Sequence, residues 1–276
     1  MTTAILHGFQ AGDCLQLLPC VPHMSVPLII CDPPYNLGRN YPDYDDDRPA
    51  VEYLTWCERW LSLLYEVVTK DGSFWLFIGP KFVSELDVLA KRIGFHRRSL
   101  ITWFYTFGVN STRKFTPATT FILHYVLDPK NFTFNADQIR VPSARQLIYK
   151  DKRQNPAGRL PDDTWILRPT DVPGGFPAEG DIWNASRVCG TYKERQPVDN
   201  QIPEQLLGRI IRVSSNPGDL VLDPMAGSGS ALAVAKKLGR HWLGFELSES
   251  TAAIARSRLA AAKEGEPLDG PIPPGG

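Results

Sequence analysis

The sequence predicts an α/β sheet, because short apolar strands alternate along the chain with amphipathic helices. Two further observations refine this fold class. Several predicted strands end at an acidic residue, and a long central stretch, residues 128–195, lacks the periodicity of either a strand or a helix. With 276 residues, the chain is long enough to bury a large core without a disulfide or a metal. We therefore expect one α/β domain interrupted by an inserted, loop-rich lobe.

The N-terminal part, residues 1–127, contains most of the predicted strands. Residues 26–31 form a buried strand that must stop at Asp32-Pro33-Pro34-Tyr35, because two consecutive prolines cannot continue a sheet ladder. Apolar residues at three- and four-residue spacing predict a helix over 51–68, closed by Asp71 and Gly72. The remaining elements are a strand at 73–78, a helix at 82–93, and two antiparallel strands at 99–107 and 119–127 near one edge of the sheet.

The C-terminal part, residues 196–263, returns to a regular alternation after the lobe. A helix begins at Pro203, a favourable first helical residue, and a strand at 220–222 ends at Asp223. The Gly-rich residues 226–230 lead into a helix at 231–238, and a strand at 241–245 ends at Glu246 before a last helix at 249–262. The tail, residues 264–276, is rich in proline and glycine, and we expect it to be disordered.

Composition limits the classes of function and the cellular setting. Thirty basic residues balance thirty acidic ones, which excludes a uniformly basic nucleic-acid coat but not a basic face. The longest apolar runs are too short to span a bilayer, and the first residues lack the pattern of a signal peptide. The five cysteines form no CxxC pair. These features predict a cytoplasmic protein with free, mostly buried thiols.

Three acids at strand ends, Asp32, Asp223 and Glu246, indicate where a ligand binds. In a doubly wound sheet, ligands bind outside the carboxyl ends of the strands, near the point where the strand order reverses. A strand, a Gly-rich loop, a helix, a strand and an acid, in this order, are typical of a nucleoside-cofactor site. Leu232 replaces the third glycine of a dinucleotide fingerprint, which argues against an NAD enzyme. A tight strand-to-helix connection without a ligand is the simpler alternative.

At Asp32-Pro33-Pro34-Tyr35, below called the DPPY tetrapeptide, the sequence resembles a known family, the exocyclic-amino DNA methyltransferases that use S-adenosylmethionine (SAM). Their catalytic tetrapeptide is (D/N/S)PP(Y/F/W) at a strand end, and DPPY followed by Asn36-Leu37-Gly38 resembles the N6-adenine enzymes most. The segment 223–230, DPMAGSGS, is similar to the family's DPFxGSGT loop, with Met225 and Ser230 in place of Phe and Thr. Because the catalytic motif precedes this loop, the chain resembles the circularly permuted β group, whose target-recognition region lies between the two motifs. The resemblance covers residues 3–260.

The resemblance implies a Rossmann-like fold with a mixed seven-stranded sheet, helices on both faces, one reversed edge strand and an inserted target-recognition lobe. It also implies a SAM site. Gly12-Asp13-Cys14 resembles the family's GDC segment, whose acid contacts the adenine amino group of SAM; Asp13 is also a candidate helix cap, and both roles can hold at once. Gln201 and Pro203 match the family's HPTQKP segment, whose His and Lys are missing here. The implied cofactor residues are Asp13, Cys14, Asp32, Gln201, Pro203, Asp223, Pro224, Gly227, Ser228, Gly229 and Glu246.

The implied chemistry explains the tetrapeptide. An adenine amino group is a poor nucleophile because its lone pair is delocalised into the ring. The Asp32 carboxylate and the Pro33 carbonyl, held rigidly by the following Pro34, accept its two N–H hydrogen bonds and stabilise the positive charge that develops on nitrogen. Tyr35 stacks on the base, which must first be flipped out of the duplex. The reaction requires no metal and no cysteine nucleophile, and we interpret Cys31 as a buried strand residue.

The expected substrate is double-stranded DNA, and cationic segments indicate the surface that faces it. Residues 88–127 contain six cations and no acid, and the lobe adds further cations. An ordinary solvated face is the alternative for each of them. We expect the loop 108–116 to cover the flipped base and the acidic run 43–47 to form a mobile loop, and Trp165 either stacks on a base or belongs to the core of the lobe. The predicted phosphate-facing residues are Arg97, Arg98, Arg113, Lys114, Arg145, Lys150, Lys152 and Arg153.

Several functions remain open from the sequence. The leading hypothesis is N6-adenine methylation of DNA, and the nearest alternative is cytosine-N4 methylation on the same scaffold, whose enzymes more often carry SPPY. Methylation of RNA or of a protein amide is a third hypothesis, because related NPPY motifs occur there, and a non-catalytic SAM-binding or nucleic-acid-binding module is a fourth. The sequence does not decide whether the chain forms a homodimer or acts beside a cognate restriction endonuclease.

Overall fold

The structure, a computed structural model, describes residues 7–41, 43–104, 112–141, 153, 155–165 and 201–268. The strands in this part of the chain form one sheet. They are β1 (Gly8–Ala11), β2 (Val26–Cys31), β3 (Val68–Ile78), β4 (His96–Phe104), β5 (Thr119–Val126), β6 (Thr164–Trp165), β7 (Leu220–Asp223) and β8 (His241–Glu246). Their order across the sheet is β1-β8-β7-β2-β3-β5-β4-β6.

Strand β5 runs opposite to the other seven described strands. It pairs antiparallel with β3 on one side and with β4 on the other, whereas all other neighbours pair in parallel. The predicted α/β fold class is confirmed, but two details of the prediction are wrong. The described sheet has eight strands rather than seven, and the reversed strand lies inside the sheet rather than at its edge. The edges are β1 and β6, which are too short to show a sequence pattern.

Helices cover both faces of the sheet. On α2 (Ala50–Val67), apolar residues at three- and four-residue spacing, among them Cys57, Leu61 and Leu64, are fully buried. Helices α2 and α3 (Val83–Ile93) cover one face, and α4 (Glu204–Ser214) and α5 (Ser230–Lys237) cover the other. None of the helices in the described ranges is both long and apolar enough to cross a bilayer. The helices are α1 (Cys14–Leu17), α2 (Ala50–Val67), α3 (Val83–Ile93), α4 (Glu204–Ser214), α5 (Ser230–Lys237) and α6 (Glu249–Ala261).

The connection between α2 and β3 differs from the prediction. The sequence predicts that Asp71 and Gly72 close the helix, but α2 ends at Val67 and β3 begins directly at Val68. Gly72 lies within the strand, where a Cβ atom would be 2.8 Å from the carbonyl oxygen of Pro27 in β2. The close approach of the two strands, rather than a helix end, therefore explains this glycine.

The described part of the predicted lobe packs on the sheet. Trp165 in β6 lies beside Trp103 in β4, is 5% exposed and belongs to the core between the sheet and α4. The side-chain amide of Asn135 donates hydrogen bonds to the carbonyl oxygens of Arg212 and Ser215, at the end of α4. Of the two interpretations of Trp165, the structure supports the core residue.

The strand order creates a switch point at the centre of the sheet. From β2 the chain continues to β3 on one side, whereas from β7 it continues to β8 on the other side. Strands β2 and β7 are parallel neighbours, so their carboxyl ends lie next to each other. A doubly wound sheet opens a crevice at such a point.

Candidate active site

A cleft of about 780 Å³ lies at the switch point, where β2 and β7 end. Asp32 directly follows β2, and Asp223 is the last residue of β7. Both acids line the cleft together with Glu246 at the end of β8. The structure therefore brings together the three strand-end acids that the sequence singles out. A cleft of this volume accommodates a ligand of the size of a nucleoside cofactor.

The DPPY tetrapeptide lines the cleft. One hydrogen bond within it, one from Tyr53 and a close contact with Gly79 fix its conformation. The hydroxyl group of Tyr35 donates a hydrogen bond of 2.6 Å to Oδ1 of Asp32. The hydroxyl group of the fully buried Tyr53 donates one of 2.8 Å to the carbonyl oxygen of Pro34. A Cβ atom on Gly79 would lie only 3.0 Å from the ring of Tyr35, so the glycine makes room for that ring.

Neither Tyr53 nor Gly79 is predicted as a site residue from the sequence. Tyr53 lies on the buried face of α2, where an apolar stripe conceals the one hydroxyl group that points at the tetrapeptide. Gly79 directly follows β3, the neighbour of β2, and its position at a second strand end is the only signal that the sequence offers.

Burial and neighbouring charges raise the pKa of two of the three acids in the cleft. Burial raises the pKa of Asp223 well above its usual range, and the charges of Asp32 and Glu246 raise it further, although a hydrogen bond from the amide of Met225 acts in the opposite direction. Burial also raises the pKa of Glu246. Carboxyl groups in such a site favour a cationic ligand, because its charge stabilises their ionised forms.

The Gly-rich loop and Glu246 form one hydrogen-bonded unit. Glu246 accepts a hydrogen bond at Oε2 from the amide of Gly227 and another at Oε1 from the amide of Ser248, both of 2.9 Å. Gly227 has a φ angle of 50° and Gly229 one of 74°, in the region that favours glycine. A Cβ atom on Gly227 would meet nothing within 4 Å, whereas one on Gly229 would lie 3.3 Å from Cβ of Ala255. Gly227 therefore leaves space free in the cleft, and Gly229 allows close packing against α6.

Most of the predicted cofactor residues line this cleft. Asp13 accepts a hydrogen bond of 2.9 Å from the amide of Leu15 and so caps α1, as one of its two interpretations predicts. Pro203 and Gly229 do not line the cleft, and Pro203 instead directly precedes α4. The predicted residues that do line it are Asp13, Cys14, Asp32, Gln201, Asp223, Pro224, Gly227, Ser228 and Glu246.

The buried thiols near the cleft are poor nucleophiles. Burial raises the pKa of Cys14 to about 12, and the neighbouring Asp13 adds to the effect. Burial raises the pKa of the fully buried Cys31 well above its usual range, and the charge of Asp223 contributes. Both groups stay protonated at neutral pH, and a protonated thiol reacts slowly.

The acidic run 43–47 does not behave as one mobile loop. Asp46 is 2% exposed, and its carboxylate accepts three hydrogen bonds from backbone amides of residues 36–39, which follow the DPPY tetrapeptide. The expectation of a mobile loop is therefore wrong for Asp46, although Asp45 and Asp47 beside it are exposed. The sequence of the acidic run does not distinguish the buried Asp46 from the exposed Asp45 and Asp47.

One wall of the cleft carries cations and aromatic rings that sequence analysis does not single out. The guanidinium carbon of Arg48 lies 4.3 Å from the centroid of the Tyr44 ring, and this ring packs against Trp56 with 5.3 Å between centroids. Arg39 and Arg59 also line the cleft. Among the described residues, these three arginines are the cations that line the cleft.

The structure separates the predicted DNA-facing residues into different locations. Arg113 and Lys114 are exposed and lie just before β5, whose second residue, Thr120, lines the cleft. Arg97 and Arg98 lie at the start of β4, the other end of the sheet from the cleft, about 20–23 Å along the strand from Phe104.

The two arginines at the start of β4 also have other contacts. Arg97 donates a hydrogen bond of 2.6 Å to Asp87, and Arg98 lies over the ring of Phe132 at 5.2 Å. The structure therefore does not bring them to the site. Arg153 is exposed. The predicted residues Arg145, Lys150 and Lys152, and residues 108–111 of the predicted covering loop, lie outside the described residues.

The fold and the cleft together define an α/β protein with a nucleoside-cofactor site and a polar tetrapeptide at the ends of neighbouring strands. The DNA methylase family model matches residues 26–257, which is most of the chain. The chain belongs to this family of DNA methyltransferases, and the resemblance to the exocyclic-amino enzymes of the β group is confirmed.

Three known proteins illustrate the similarity. The DNA adenine methyltransferase YhdJ of Escherichia coli (strain K12) is 34% identical over 256 residues, which cover 91% of this chain and 82% of YhdJ. The PvuII DNA methyltransferase, which is cytosine-N4-specific, has a TM-score of 0.64 at 19% identity and covers 93% of this chain and 87% of its own. TTHA0409 of Thermus thermophilus, solved in complex with S-adenosyl-L-methionine, has a TM-score of 0.61 at 21% identity, with 95% and 98% coverage.

Proposed function

We propose that the protein transfers a methyl group from SAM to the exocyclic N6 amine of an adenine that is flipped out of double-stranded DNA. The observation that carries this proposal is the shared cleft, in which Asp32 of the DPPY tetrapeptide lies beside the acids at the ends of β7 and β8. The residues suited to bind the methyl donor and those suited to bind the target amine thus line the same cleft.

The residues of the cleft fit SAM. The cofactor supplies an electrophilic methyl group on a positively charged sulfonium. The carboxyl groups of Asp223 and Glu246 favour such a cation, because burial raises the pKa of both and a nearby positive charge stabilises their ionised forms. Glu246 lies against Gly227 and Ser248 at the end of β8, where an acid accepts hydrogen bonds from ribose hydroxyl groups in this type of fold. Asp13, in the same cleft, is suited to bind the adenine amino group of SAM.

The DPPY tetrapeptide acts on the target amine. The Asp32 carboxylate and the Pro33 carbonyl accept its two N–H hydrogen bonds, which localises the lone pair on nitrogen and stabilises the positive charge that develops there. The hydrogen bond from Tyr35 orients the Asp32 carboxylate before the base arrives, and the bond from Tyr53 to the carbonyl oxygen of Pro34 holds the residue that follows the Pro33 acceptor. Preorganised acceptors of this kind need no reorganisation during the reaction.

Adenine is favoured over cytosine by the first residue of the tetrapeptide and by one relative. The segment Asp32–Gly38, DPPYNLG, resembles the N6-adenine enzymes most, and YhdJ is an adenine methyltransferase at 34% identity. Cytosine N4 remains the second candidate, because the PvuII enzyme, which is cytosine-N4-specific, has the same fold.

The DNA lies across the end of the sheet that carries the cleft. Arg113 and Lys114 are exposed there and are suited to contact phosphates. The adjacent Phe115 is a fully exposed aromatic side chain, an unusual arrangement that suits insertion between base pairs. Arg153 is a further exposed cation of this chain that we assign to the phosphate contacts.

Nucleoside analysis tests this function. Purified protein is incubated with SAM and unmethylated genomic DNA, and the digested nucleosides are identified by mass spectrometry. We expect N6-methyladenine. N4-methylcytosine as the sole product would overturn the choice of base, and transfer to RNA or protein but not to DNA would overturn the proposal as a whole.

A further inference from the structure

We propose that Asp46 is a positioning residue for catalysis: its buried carboxylate fixes the segment that follows the DPPY tetrapeptide and thereby sets the placement of Asp32 and Tyr35 against the target base. This inference rests on the proposed methyl transfer to DNA. It concerns a residue that lies 11 positions after Tyr35 and that does not line the cleft itself.

The carboxylate of Asp46 gathers the backbone amides of the segment. Oδ1 accepts a hydrogen bond of 2.8 Å from the amide of Asn36, and Oδ2 accepts bonds of 3.1 Å from Leu37 and 3.0 Å from Arg39. The backbone carbonyl of Asp46 also accepts a bond of 2.8 Å from the amide of Gly38. Four consecutive amides are thus bound by one residue, and bonds to an ionised acceptor are stronger than neutral ones.

The side chain of Asn36 provides a second set of hydrogen bonds that fix the segment. Its φ angle is 57°, a left-handed conformation that costs energy in a non-glycine residue unless its surroundings hold it. Its side chain donates a hydrogen bond of 2.8 Å to the carbonyl oxygen of Arg48 and accepts one of 2.8 Å from the Arg48 amide. The ammonium group of Lys81 donates to the carbonyl oxygen of Asn36. Asp46 and Asn36 therefore hold the loop between residues 36 and 48 from both ends.

The held segment begins at the residue after Tyr35. Any change of backbone direction at Asn36 moves Tyr35, which packs against Gly79 and donates its hydroxyl hydrogen to Asp32. The same loop supplies Arg39 and Tyr44 to the wall of the cleft. A misplacement of about 1 Å can slow a reaction about 100-fold. The hydrogen bonds that fix the backbone at Asn36 therefore affect the rate of methyl transfer.

The sequence supplies matched controls beside Asp46. Asp47 belongs to the same acidic run, is exposed and makes none of the bonds to residues 36–39 that Asp46 makes. The substitutions Asp46→Asn and Asp47→Asn each remove one negative charge from the same loop. A difference between the two variants therefore reports the buried hydrogen bonds and not the charge of the run.

The test measures methyl transfer from radiolabelled SAM to unmethylated genomic DNA, with enzyme in excess, SAM saturating and the temperature well below the melting temperature of each variant. For Asp46→Asn we expect a rate about 10- to 100-fold below that of the wild type, with an affinity for SAM within about twofold. Asp47→Asn keeps the wild-type rate. A merely stabilising role would lower the melting temperature and leave this rate unchanged, which would overturn the proposal.

A second variant covers the case in which Asp46→Asn does not fold. Asn36→Gly tolerates the positive φ angle and removes only the two side-chain bonds to Arg48. We expect it to lower the same rate with unchanged SAM affinity, and a wild-type rate in this variant would contradict the positioning role. If the wild-type protein itself methylates no DNA, the proposed function fails, whereas wild-type activity with an equally active Asp46→Asn overturns this inference alone.

Discussion

The hydroxyl group of Tyr35 lies 2.6 Å from Oδ1 of Asp32 and donates a hydrogen bond to it. The ring of the same residue is held against Gly79. Within one tetrapeptide, the side chain suited to stack on the target base thus also orients the carboxylate that accepts the amine hydrogens. The two roles can be separated by substitution.

Tyr35→Phe keeps the ring and removes the bond to Asp32. Because a hydrogen bond to a charged group contributes about 1.5–3 kcal/mol, we expect the rate of methyl transfer to fall by about 10- to 100-fold, with little change in DNA affinity. Single-turnover kinetics and a DNA-binding titration check this. Tyr65→Phe, in a residue whose ring packs against Phe95, is the control, and an unchanged rate in Tyr35→Phe would remove the orienting role.

Arg113 and Lys114 are expected to contact DNA phosphates. Replacing either by alanine should weaken DNA binding and reduce the slope of log affinity against log salt concentration by about 1. The control is Arg98→Ala, at the other end of the sheet, which should leave both quantities unchanged. Equal effects at Arg98 and Arg113 would show that DNA does not lie across the cleft end.

Phe115 is expected to support the flipped state of the target base. Phe115→Ala should reduce the fluorescence increase of 2-aminopurine placed at the mapped target position, while Phe115→Trp should retain most of it. Leu100→Ala, another exposed apolar residue, is the control. A full fluorescence increase in Phe115→Ala contradicts the insertion of this side chain.

His124 makes stability depend on pH. Burial, with a smaller contribution from the charge of Arg98, lowers its pKa from 6.5 to about 3. Its ring stacks on Trp75 at 4.2 Å and shares a hydrogen bond of 3.0 Å with Ser73. Below pH 6.5 the unfolded chain binds a proton that the folded chain does not, so the free energy of unfolding falls as the pH is lowered towards 3.

The slope from this one group is at most about 1.4 kcal/mol per pH unit. Denaturant titrations between about pH 7 and pH 4 measure it. His124→Phe should have a flatter dependence than the wild type, whereas the exposed His96→Gln should keep the wild-type slope. The same slope in all three proteins would mean that His124 titrates normally in the folded state.

The sequence predicts the cleft well because its signals are local. A strand that ends at Asp32 and a strand that ends at Asp223 are visible as short apolar runs, and parallel strands necessarily bring their carboxyl ends to one edge. The same reasoning places Glu246. Each of these positions is predicted from the few residues that precede the acid in the sequence and from a general rule of sheet topology.

Other features depend on contacts between distant residues. Asp46 and Asp47 are equivalent in composition, and only the folded backbone shows that one of them meets the amides of residues 36–39. Arg97 and Arg113 are both cations near the same strands, but the direction of β4 places them at different ends of the sheet. Trp165 gains its core position from a two-residue strand that has no pattern of its own.

The most direct test of the shared cleft is Asp32→Ala, assayed for methyl transfer to DNA and for SAM binding by calorimetry. We expect that this variant forms no detectable methylated adenine and still binds SAM, because Glu246 and the Gly-rich loop, which we assign to the cofactor, are unchanged. Retained methyl transfer in Asp32→Ala would contradict the role of this carboxylate and, with it, the assignment of the cleft as the site of reaction.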